Sequence, residues 1–396
     1  MKLGKDKWGK VNLGTVCEID PSKKEIASVS DDTLVSFAEM ADLNLGSSKV
    51  KYSQIRTIKE LRKSGLSYFK NNDVLLAKMT PCFENGKSGL ANNMSNGIGF
   101  GSTEFFVLRG GKIDPYLLYS IISSNTFIDR GKLMMIGTTG RKRLMKDFVF
   151  NYEIPLPPFE EQKQITSLFQ TIEISIEKAG EQERKLKALW KRLINEFVSE
   201  KPNIGDLLKG KNLQTFRYCD VTEKLMRKID PLTYGIERIV AGENLESEDF
   251  KIRTWQKIGE GYLGPAFHVL FKNGDILYGS RRTYLRKVSF ADFDGVCANT
   301  TYVIRAKEKL LLQDLLKHIM LSERFTQYSI GVSKGSTNPY INWKDLDNFT
   351  FQIPDIETQK EIVKVLDDVL NNIEQIKHQI KNLKKLKQKL LNEILG

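Results

Sequence analysis

The sequence predicts an α+β protein with a pseudo-two-fold internal repeat. Two structurally similar mixed domains are joined by two long helices that form an antiparallel coiled coil. Three observations predict this fold: a segment that occurs twice, a strict heptad pattern after each copy, and a shared order of strands and turns before it. The copies lie about 197 residues apart, whereas solenoid repeats are about 20–50 residues long. The duplication therefore indicates a two-fold protein on one chain, and it points to a target with two halves.

The repeated segment reads Pro-Pro-Phe-Glu-Glu-Gln-Lys-Gln-Ile at residues 157–165 and Pro-Asp-Ile-Glu-Thr-Gln-Lys-Glu-Ile at residues 354–362. From there the two copies stay in register without a gap, through Leu186 with Leu383 and as far as Glu196 with Glu393. The same segment therefore opens a long helix in each half of the chain.

Each long helix carries an apolar residue at every seventh position. These are Ile165, Ile172, Ala179, Leu186 and Leu193 in the first helix, and Ile362, Val369, Ile376, Leu383 and Leu390 in the second. A sustained heptad predicts a left-handed coiled-coil seam. Two long core helices in a larger bundle are the alternative, but the sequence offers no other long helices to complete one. The first helix leads away from domain one and the second starts at domain two, so the pair is antiparallel, with a length of about 55 Å.

The first domain reads as short strands separated by turns, with one helix. An Asn-Asp turn at residues 71–73 leads into an apolar strand, and residues 103–109 form a second, aromatic-rich strand. Asp114 and Pro115 are typical of a helix N-cap and first turn.

The second domain repeats this order, with the turn and strand at residues 271–278, the aromatic strand at 300–305 and a helix at 314–325. Asn12-Leu13-Gly14 also resembles residues 203–205, which suggests equivalent domain starts. The resulting division is residues 1–155 for the first mixed domain, 156–199 for the first long helix, 200–352 for the second mixed domain and 353–396 for the second long helix.

The composition is that of an ordinary globular protein with a basic balance. The chain has 396 residues, 61 Lys and Arg against 49 Asp and Glu, and a formal net charge of +12. A basic surplus favours a polyanionic partner. We expect no membrane span and no signal peptide, and the four scattered cysteines suit reduced thiols in the cytoplasm.

No motif predicts catalysis or a bound cofactor. The glycine patterns at residues 97–101 and 259–264 are followed by predicted strands, whereas a pyrophosphate site needs a helix N-terminus there. Residues 336–340 partly match the Asn-Pro-Pro-Tyr motif of amino-methyltransferases, but the second Pro is missing and turn chemistry explains the rest. The three histidines lie far apart and form no metal motif.

Basic segments that mix Arg and Lys with hydroxyl groups are the candidate DNA-binding residues. Arg forks suit guanine O6 and N7, while Lys, Ser and Thr suit phosphate oxygens. A solvated charged loop is the alternative for each segment. The candidates are Thr138, Thr139, Arg141, Lys142 and Arg143 in the first copy, Ser280, Arg281, Arg282, Thr283, Tyr284 and Arg286 in the second, and, as further surfaces, Lys78, Thr80, Lys87, Ser88, Lys334, Ser336, Thr337, Asn338 and Tyr340.

With these features the chain resembles the specificity subunits of Type I restriction–modification systems, the HsdS family. The resemblance rests on the Ile-Pro-Leu-Pro-Pro…Glu-Gln start at residues 154–162, its second copy at 353–359, and the framework turns at 72–75 and 274–277. It covers essentially the whole chain. It implies that the two mixed domains are target recognition domains, each reading one half of a bipartite double-stranded DNA site.

The resemblance also implies partners and the absence of catalysis in this chain. Two methyltransferase subunits would dock on it, and restriction–translocase subunits would add ATP-driven cleavage. S-adenosylmethionine, ATP and Mg would then belong to those subunits, and this chain would hold no cofactor. Three alternatives stay open: a specificity subunit of another restriction class, a methyltransferase with its own recognition domain, and a structural coiled-coil adaptor.

Overall fold

The structure, a computed structural model, describes residues 4–62, 64–138, 140–259 and 264–395. It divides into two compact units, Met1–Glu181 with Lys377–Gly396 and Gln182–Ile376. Each unit contains one mixed domain, half of the first long helix and half of the second.

The first mixed domain is built from short strands and short helices. Its strands are β1 (Gly9–Asn12), β2 (Cys17–Ile19), β3 (Leu34–Ala38), β4 (Gln54–Thr57), β5 (Ser67–Lys70), β6 (Asp73–Ala77), β7 (Ser88–Leu90), β8 (Ile98–Gly101), β9 (Phe105–Gly110), β10 (Ile136–Thr138), β11 (Arg141–Arg143) and β12 (Glu153–Leu156). Its helices are α1 (Ile58–Leu61), α2 (Pro115–Ile122), α3 (Asn125–Leu133) and α4 (Lys146–Asn151), followed by the long helix α5 (Phe159–Phe197).

The second mixed domain has strands β13 (Gln214–Arg217), β14 (Thr222–Leu225), β15 (Arg238–Val240), β16 (Gln256–Lys257), β17 (Phe267–Phe271), β18 (Ile276–Gly279), β19 (Val288–Phe290), β20 (Gly295–Ala298), β21 (Thr301–Ala306) and β22 (Thr350–Ile353). Its helices are α6 (Tyr218–Val221), α7 (Gln313–Ile319), α8 (Glu323–Gly331) and α9 (Trp343–Leu346), followed by the long helix α10 (Ile356–Leu395).

The sheets of the two domains have the same strand order. The first domain has four-stranded sheets β2-β9-β6-β7 and β4-β3-β8-β5, and the second has β14-β21-β18-β19 and β16-β15-β20-β17. In each domain one pair is parallel, β3 with β8 and β15 with β20. A further antiparallel pair, β1 with β12 and β13 with β22, joins the beginning of each domain to the strand before its long helix. The predicted internal repeat and α+β class are confirmed.

In the first domain a second helix, α3, follows the predicted helix α2, and in the second domain the helix predicted at residues 314–325 is divided into α7 and α8. Helix α2 begins after the N-cap Asp114, as expected, but it ends at Ile122, and α3 begins after Ser124, whose hydroxyl accepts a hydrogen bond from Phe127 N at 3.2 Å. In the second domain Ser322 does the same between α7 and α8, accepting from Phe325 N at 3.2 Å. A serine N-cap satisfies a free N–H of the new helix, so the chain turns within an apolar run.

The pairing of the domain starts that the sequence suggested is wrong. Leu13 N donates to Tyr152 O at 2.9 Å in the first domain, and Tyr218 N donates to Phe349 O at 2.7 Å in the second. Tyr218 therefore occupies the position of Leu13, whereas residues 203–205 follow soon after α5. A short motif with Asn and Gly is too common in turns to fix an alignment.

The heptad residues of both long helices are buried or half-buried, which confirms the coiled coil. In the first unit, Ile165 and Ile172 from the beginning of α5 share a core with Leu391 and Ile394 from the end of α10. In the second unit, Ile194 from the end of α5 shares a core with residues from the beginning of α10. This pairing of a beginning with an end is antiparallel.

A buried glutamine at the start of each long helix connects it to its mixed domain. Gln162 is 2% exposed and Gln359 is 0% exposed. The Gln162 amide accepts from Asp114 N at 2.7 Å and donates to the carbonyls of Lys112 at 3.3 Å and Pro157 at 3.0 Å.

Gln359 repeats the three contacts of Gln162. It accepts from Leu312 N at 2.9 Å and donates to Leu310 O at 2.8 Å and Pro354 O at 2.9 Å. Both amides therefore fasten the first turn of a short domain helix, α2 or α7, to the first turn of a long helix.

In the first unit the packed helices enclose a charged pair. Lys387 Nζ of α10 lies 3.1 Å from Glu173 Oε2 of α5, and both side chains are almost fully buried. Tyr116 Oη and Ser48 N also donate to this carboxylate. Burial alone would raise the pKa of Glu173, but Lys387 and these hydrogen bonds hold it below its usual value.

In the second unit the corresponding polar cluster centres on His318, which is fully buried. Trp190 Nε1, a donor only, lies 3.3 Å from His318 Nδ1, and His318 Nε2 lies 2.9 Å from Asp367 Oδ1. Nδ1 therefore accepts and Nε2–H donates, so the imidazole is neutral. Burial lowers the pKa of His318, against the opposing effect of Asp367.

We expect Gln162→Leu to lower the free energy of unfolding by about 1–3 kcal/mol, because it leaves buried backbone groups without partners. Gln164→Leu, on an exposed position of the same helix, is the matched control and should change little. Thermal unfolding measures both. Equal stability of the two variants would contradict the role of Gln162.

We expect the free energy of unfolding to decrease as the pH is lowered, because the folded protein keeps His318 neutral. Its pKa is lower in the folded than in the unfolded protein, so its contribution is complete above the unfolded value of 6.5 and is lost as the pH falls below it. The slope is at most about 1.4 kcal/mol per pH unit. Melting temperatures from pH 8 to 5.5 should fall less steeply in His318→Gln than in the exposed control His378→Gln. Parallel curves would show that His318 does not titrate on unfolding.

Candidate nucleic-acid interface

The basic segment of the first domain forms a two-stranded ribbon. Strands β10 and β11 pair antiparallel, with Ile136 opposite Arg143, Gly137 opposite Lys142 and Thr138 opposite Arg141. Thr138, Arg141 and Arg143 are exposed and Lys142 is half-buried. Thr139, in the turn of the ribbon, lies outside the described residues. The predicted loop is therefore a hairpin that holds its basic side chains in a fixed order.

Glycine is required where the two strands approach. Gly137 has φ +135°, and a Cβ on it would lie 2.5 Å from Arg141 O on the opposite strand. Gly335 stands at the equivalent place in the second domain with φ +85°. L-residues with a side chain rarely adopt such φ values, so both hairpins depend on these glycines.

The second domain contains an equivalent hairpin between Lys334 and Tyr340. Lys334 N donates to Tyr340 O at 2.8 Å, and Tyr340 N donates to Lys334 O at 2.9 Å. The segment that matched part of a methyltransferase motif is therefore the turn region of this hairpin. Lys334, Ser336, Thr337, Asn338 and Tyr340 are all exposed.

Both hairpins are held by backbone groups at the end of a central strand. After β6, Thr80 N donates to Lys142 O at 3.0 Å, and Lys78 O accepts from Leu144 N at 2.8 Å. After β18, Arg282 N donates to Pro339 O at 2.6 Å, and Ser280 O accepts from Ile341 N at 2.9 Å. The same backbone frame thus presents different side chains in the two domains.

The second basic segment, residues 280–286, divides into exposed and anchored residues. Arg281, Arg282 and Tyr284 are exposed, and Arg282 Nε donates to Asn338 Oδ1 at 3.2 Å, which joins the segment to the hairpin. Ser280 and Thr283 are buried at 5% and 3% exposure, so they support the loop from inside.

Arg286 is anchored within the second domain. Its side chain is 16% exposed, and its guanidinium lies 3.0 Å from Glu248 Oε1 and 2.7 Å from Glu323 Oε2. It also donates to Leu321 O. Two hydrogen bonds and the ion pair with Glu248 thus hold the Arg286 side chain within the domain.

The residues of 78–88 have mixed surroundings. Ser88 is 2% exposed, and Lys87 Nζ donates to Met40 O at 2.8 Å. Lys78 is half-buried over the Phe106 ring, and burial lowers its pKa. Thr80 Oγ1 donates to Lys142 O at 3.2 Å. The Thr80 side chain therefore supports the first hairpin, whereas the side chains of Lys78 and Lys87 are engaged elsewhere in the domain, by Phe106 and Met40.

A buried aspartate aligns the central strands that carry each hairpin. Asp73 binds Arg109 Nη2 at 2.7 Å, and its carboxylate accepts from Lys70 N at 2.7 Å. Asp275 accepts from Lys272 N at 2.7 Å and binds Arg227 at 2.5 Å and Arg305 at 2.6 Å. The Asp of each turn motif noted in the sequence therefore accepts a hydrogen bond from a turn N–H and forms an ion pair with an arginine of a neighbouring strand.

Several exposed apolar side chains lie beside the first hairpin. The exposed fractions are 86% for Leu133, 56% for Met134 and 64% for Ile136. The charge pattern alone gave no reason to select these residues. Their only sequence signal is an apolar run that continues past the end of α3 into the basic hairpin.

The first glycine pattern lies on a strand and not at the start of a helix, since residues 98–101 form β8. The second glycine pattern lies mostly in residues 260–263, outside the described residues. Among the residues that the structure describes, no group of three His, Cys, Asp or Glu side chains could hold a metal ion. Nor does any helix of the described chain have the length and apolarity to cross a membrane.

The chain is similar to curated proteins over part of its length. Over 247 residues it is 27% identical to the specificity subunit of the type I restriction enzyme EcoEI from Escherichia coli, covering 61% of this chain and 41% of that one. Over 168 residues it is 36% identical to the EcoAI specificity subunit from Escherichia coli, covering 41% and 28%. The chain thus spans less than half the length of these two curated relatives.

The fold also matches a solved structure along its whole length. A chain from a structure described as the basis of complex assembly and conformational transition of the type I R-M system gives a TM-score of 0.60 at 18% identity, covering 99% of this chain and 98% of that one. At this identity the match shows the fold alone. A family model, the type I restriction modification DNA specificity domain, matches residues 5–187 and 205–385. The chain belongs to this family, with two copies of its domain.

Proposed function

We propose that this protein is the sequence-specific DNA-binding subunit of a type I restriction–modification complex. It recognises a bipartite double-stranded site, and each mixed domain reads one half. The observation that carries the proposal is one backbone frame, present twice, that exposes different side chains at equivalent hairpin positions. Family membership and a net charge of +12 support a DNA partner.

In this proposal the subunit catalyses no reaction and binds no cofactor of its own. Two methyltransferase subunits bring S-adenosylmethionine, and restriction–translocase subunits bring ATP and Mg. The complex acts in the cytoplasm, where the host DNA is. The coiled coil sets the distance between the recognition domains and so determines the spacer between half-sites.

The DNA-contacting residues of the proposal are the exposed ones: Thr138, Arg141, Arg143, Arg281, Arg282, Tyr284, Lys334, Ser336, Thr337, Asn338 and Tyr340. Two kinds of contact are expected from them. Arginine forks suit base edges, and the hydroxyl and ammonium groups suit phosphates.

We expect Arg141→Ala to relax specificity at one position of one half-site by about 1–3 kcal/mol, the usual worth of a bidentate Arg–guanine pair. Its thermal unfolding should be unchanged, because the side chain is exposed. Arg286→Ala is the matched control: it should lower the melting temperature and leave base preference as it is. Competition binding against single-base variants, at fixed salt, measures the preference.

A uniform loss of affinity for all sequences, with a shallower salt dependence, would instead make Arg141 a phosphate contact. Unchanged binding and unchanged preference would remove the first hairpin from the DNA interface altogether.

We expect a longer coil to lengthen the spacer. Seven residues inserted after Glu181 and seven after Ile376 preserve both heptads and add about 10 Å, or about three base pairs at roughly 3.4 Å each. Mapping of methylated sites in cells that carry the complex should show both half-sites unchanged and a longer gap. Seven residues inserted in the exposed turn at 232–235 are the control, with no change in the gap. Altered half-sites with an unaltered gap would contradict the proposal that the coiled coil determines the spacer between half-sites.

A further inference from the structure

The outward face of the first hairpin combines an exposed apolar side chain with two guanidinium groups. Successive side chains of a strand point to opposite faces, and directly paired residues share a face. The register therefore places Ile136, Thr138, Arg141 and Arg143 on one face of the ribbon. All four are exposed, whereas Lys142, on the other face, is half-buried.

The second hairpin shows the same division between faces. Lys334 and Tyr340 pair directly, and Lys334, Ser336, Asn338 and Tyr340 are exposed. Pro339, the equivalent of Lys142, is half-buried, and its carbonyl accepts a backbone hydrogen bond as that of Lys142 does. The four outward positions are therefore equivalent in the two domains but carry different chemistry.

Packing within the domain does not account for an isoleucine at position 136. Its side chain is 64% exposed, and the hairpin is held by backbone hydrogen bonds and by its glycine. The apolar surface of an exposed isoleucine is unfavourable in water. A ligand that buries the Ile136 side chain would therefore gain binding free energy from the hydrophobic effect.

The chemistry of this face fits the major groove of DNA. The groove admits a two-stranded ribbon, and its base edges offer guanine O6 and N7 to arginine and the thymine C5-methyl to apolar side chains. Threonine can serve either base edge. Arg143 also lies 3.6 Å from Glu104, whereas Arg141 stands next to the turn.

We propose that the outward face of the ribbon at residues 136–143 is the base-reading element of the first domain, in which Ile136 contacts a thymine C5-methyl group beside the guanine contacts of Arg141 and Arg143. This inference rests on the DNA-binding function proposed above. It adds a specificity-determining residue that carries no charge and that a search for basic residues misses.

Deoxyuridine substitution tests the contact, because uracil pairs as thymine does but lacks the methyl group. The preferred duplex is first selected from a random pool with the full chain. Each thymine of the half-site is then replaced singly by deoxyuridine, and dissociation constants are measured by fluorescence anisotropy at fixed salt. For the wild-type protein, one replacement should weaken binding roughly threefold to fivefold, the worth of burying one methyl group.

Ile136→Ala should abolish the effect of that one replacement, so that the thymine and uracil duplexes bind it equally. Ile55→Ala is the matched control, since Ile55 is 61% exposed on β4 of the same unit, and it should keep the full effect. Circular dichroism of both variants confirms folding.

Three results separate the inference from the function on which it rests. A protein that selects no sequence from the pool contradicts the proposed function. Sequence-specific binding without any sensitivity to deoxyuridine contradicts the thymine contact alone. Sensitivity that survives in Ile136→Ala also overturns the inference, because it places the methyl contact on another residue.

Discussion

The buried glutamine at the start of each long helix is the contact on which each unit depends. Gln162 and Gln359 each use both N–H donors and the carbonyl oxygen of the side-chain amide on backbone atoms, donating two hydrogen bonds and accepting one. An unmet backbone group in the interior costs about 1–3 kcal/mol, so the geometry of the three contacts is specified closely. Because the amide binds the first turns of two helices at once, it fixes the direction in which the long helix leaves the domain.

The polar clusters add a second constraint, and here the two units differ. The first has a buried ion pair between Glu173 and Lys387, and the second has a neutral His318 between Trp190 and Asp367. A buried pair contributes little net stability but is costly to break. Each cluster therefore disfavours a shifted register of its helices. A shift in the first unit would bury the charge of Glu173 or Lys387 without its partner, and a shift in the second would leave the ring nitrogens of His318 without their hydrogen bonds. The repeat is symmetric in its backbone and asymmetric in this chemistry.

The sequence was sufficient for the large features because they depend on period and repetition. The heptad of Ile165 to Leu193, the second copy of the Pro…Gln segment and the N-cap Asp114 all have local signals. The separation of exposed from anchored side chains has no local signal. Arg281 and Arg286 look alike in sequence, yet Arg286 meets Glu248 and Glu323, which come from distant parts of the chain.

The burial of two candidate hydroxyl side chains also depends on residues from distant parts of the chain. Ser88 and Thr283 match a phosphate-binding composition, but they lie inside the domain because neighbouring strands and helices cover them. Of the candidates in the two basic segments, the structure leaves exposed Thr138, Arg141 and Arg143 of the first and Arg281, Arg282 and Tyr284 of the second. Long-range packing decides this, and one sequence does not encode it in a readable pattern.

The backbone anchoring of the hairpins has a consequence for evolution. The contacts that hold them use main-chain N–H and C=O groups of residues such as Thr80, Lys142 and Pro339, which every substitution except one to proline leaves in place. The four outward side chains can then mutate at almost no cost in stability, since surface substitutions typically change it by less than about 0.5 kcal/mol. Under the proposed function, a lineage would in this way exchange one target for another through single point mutations, without passing through an unfolded intermediate.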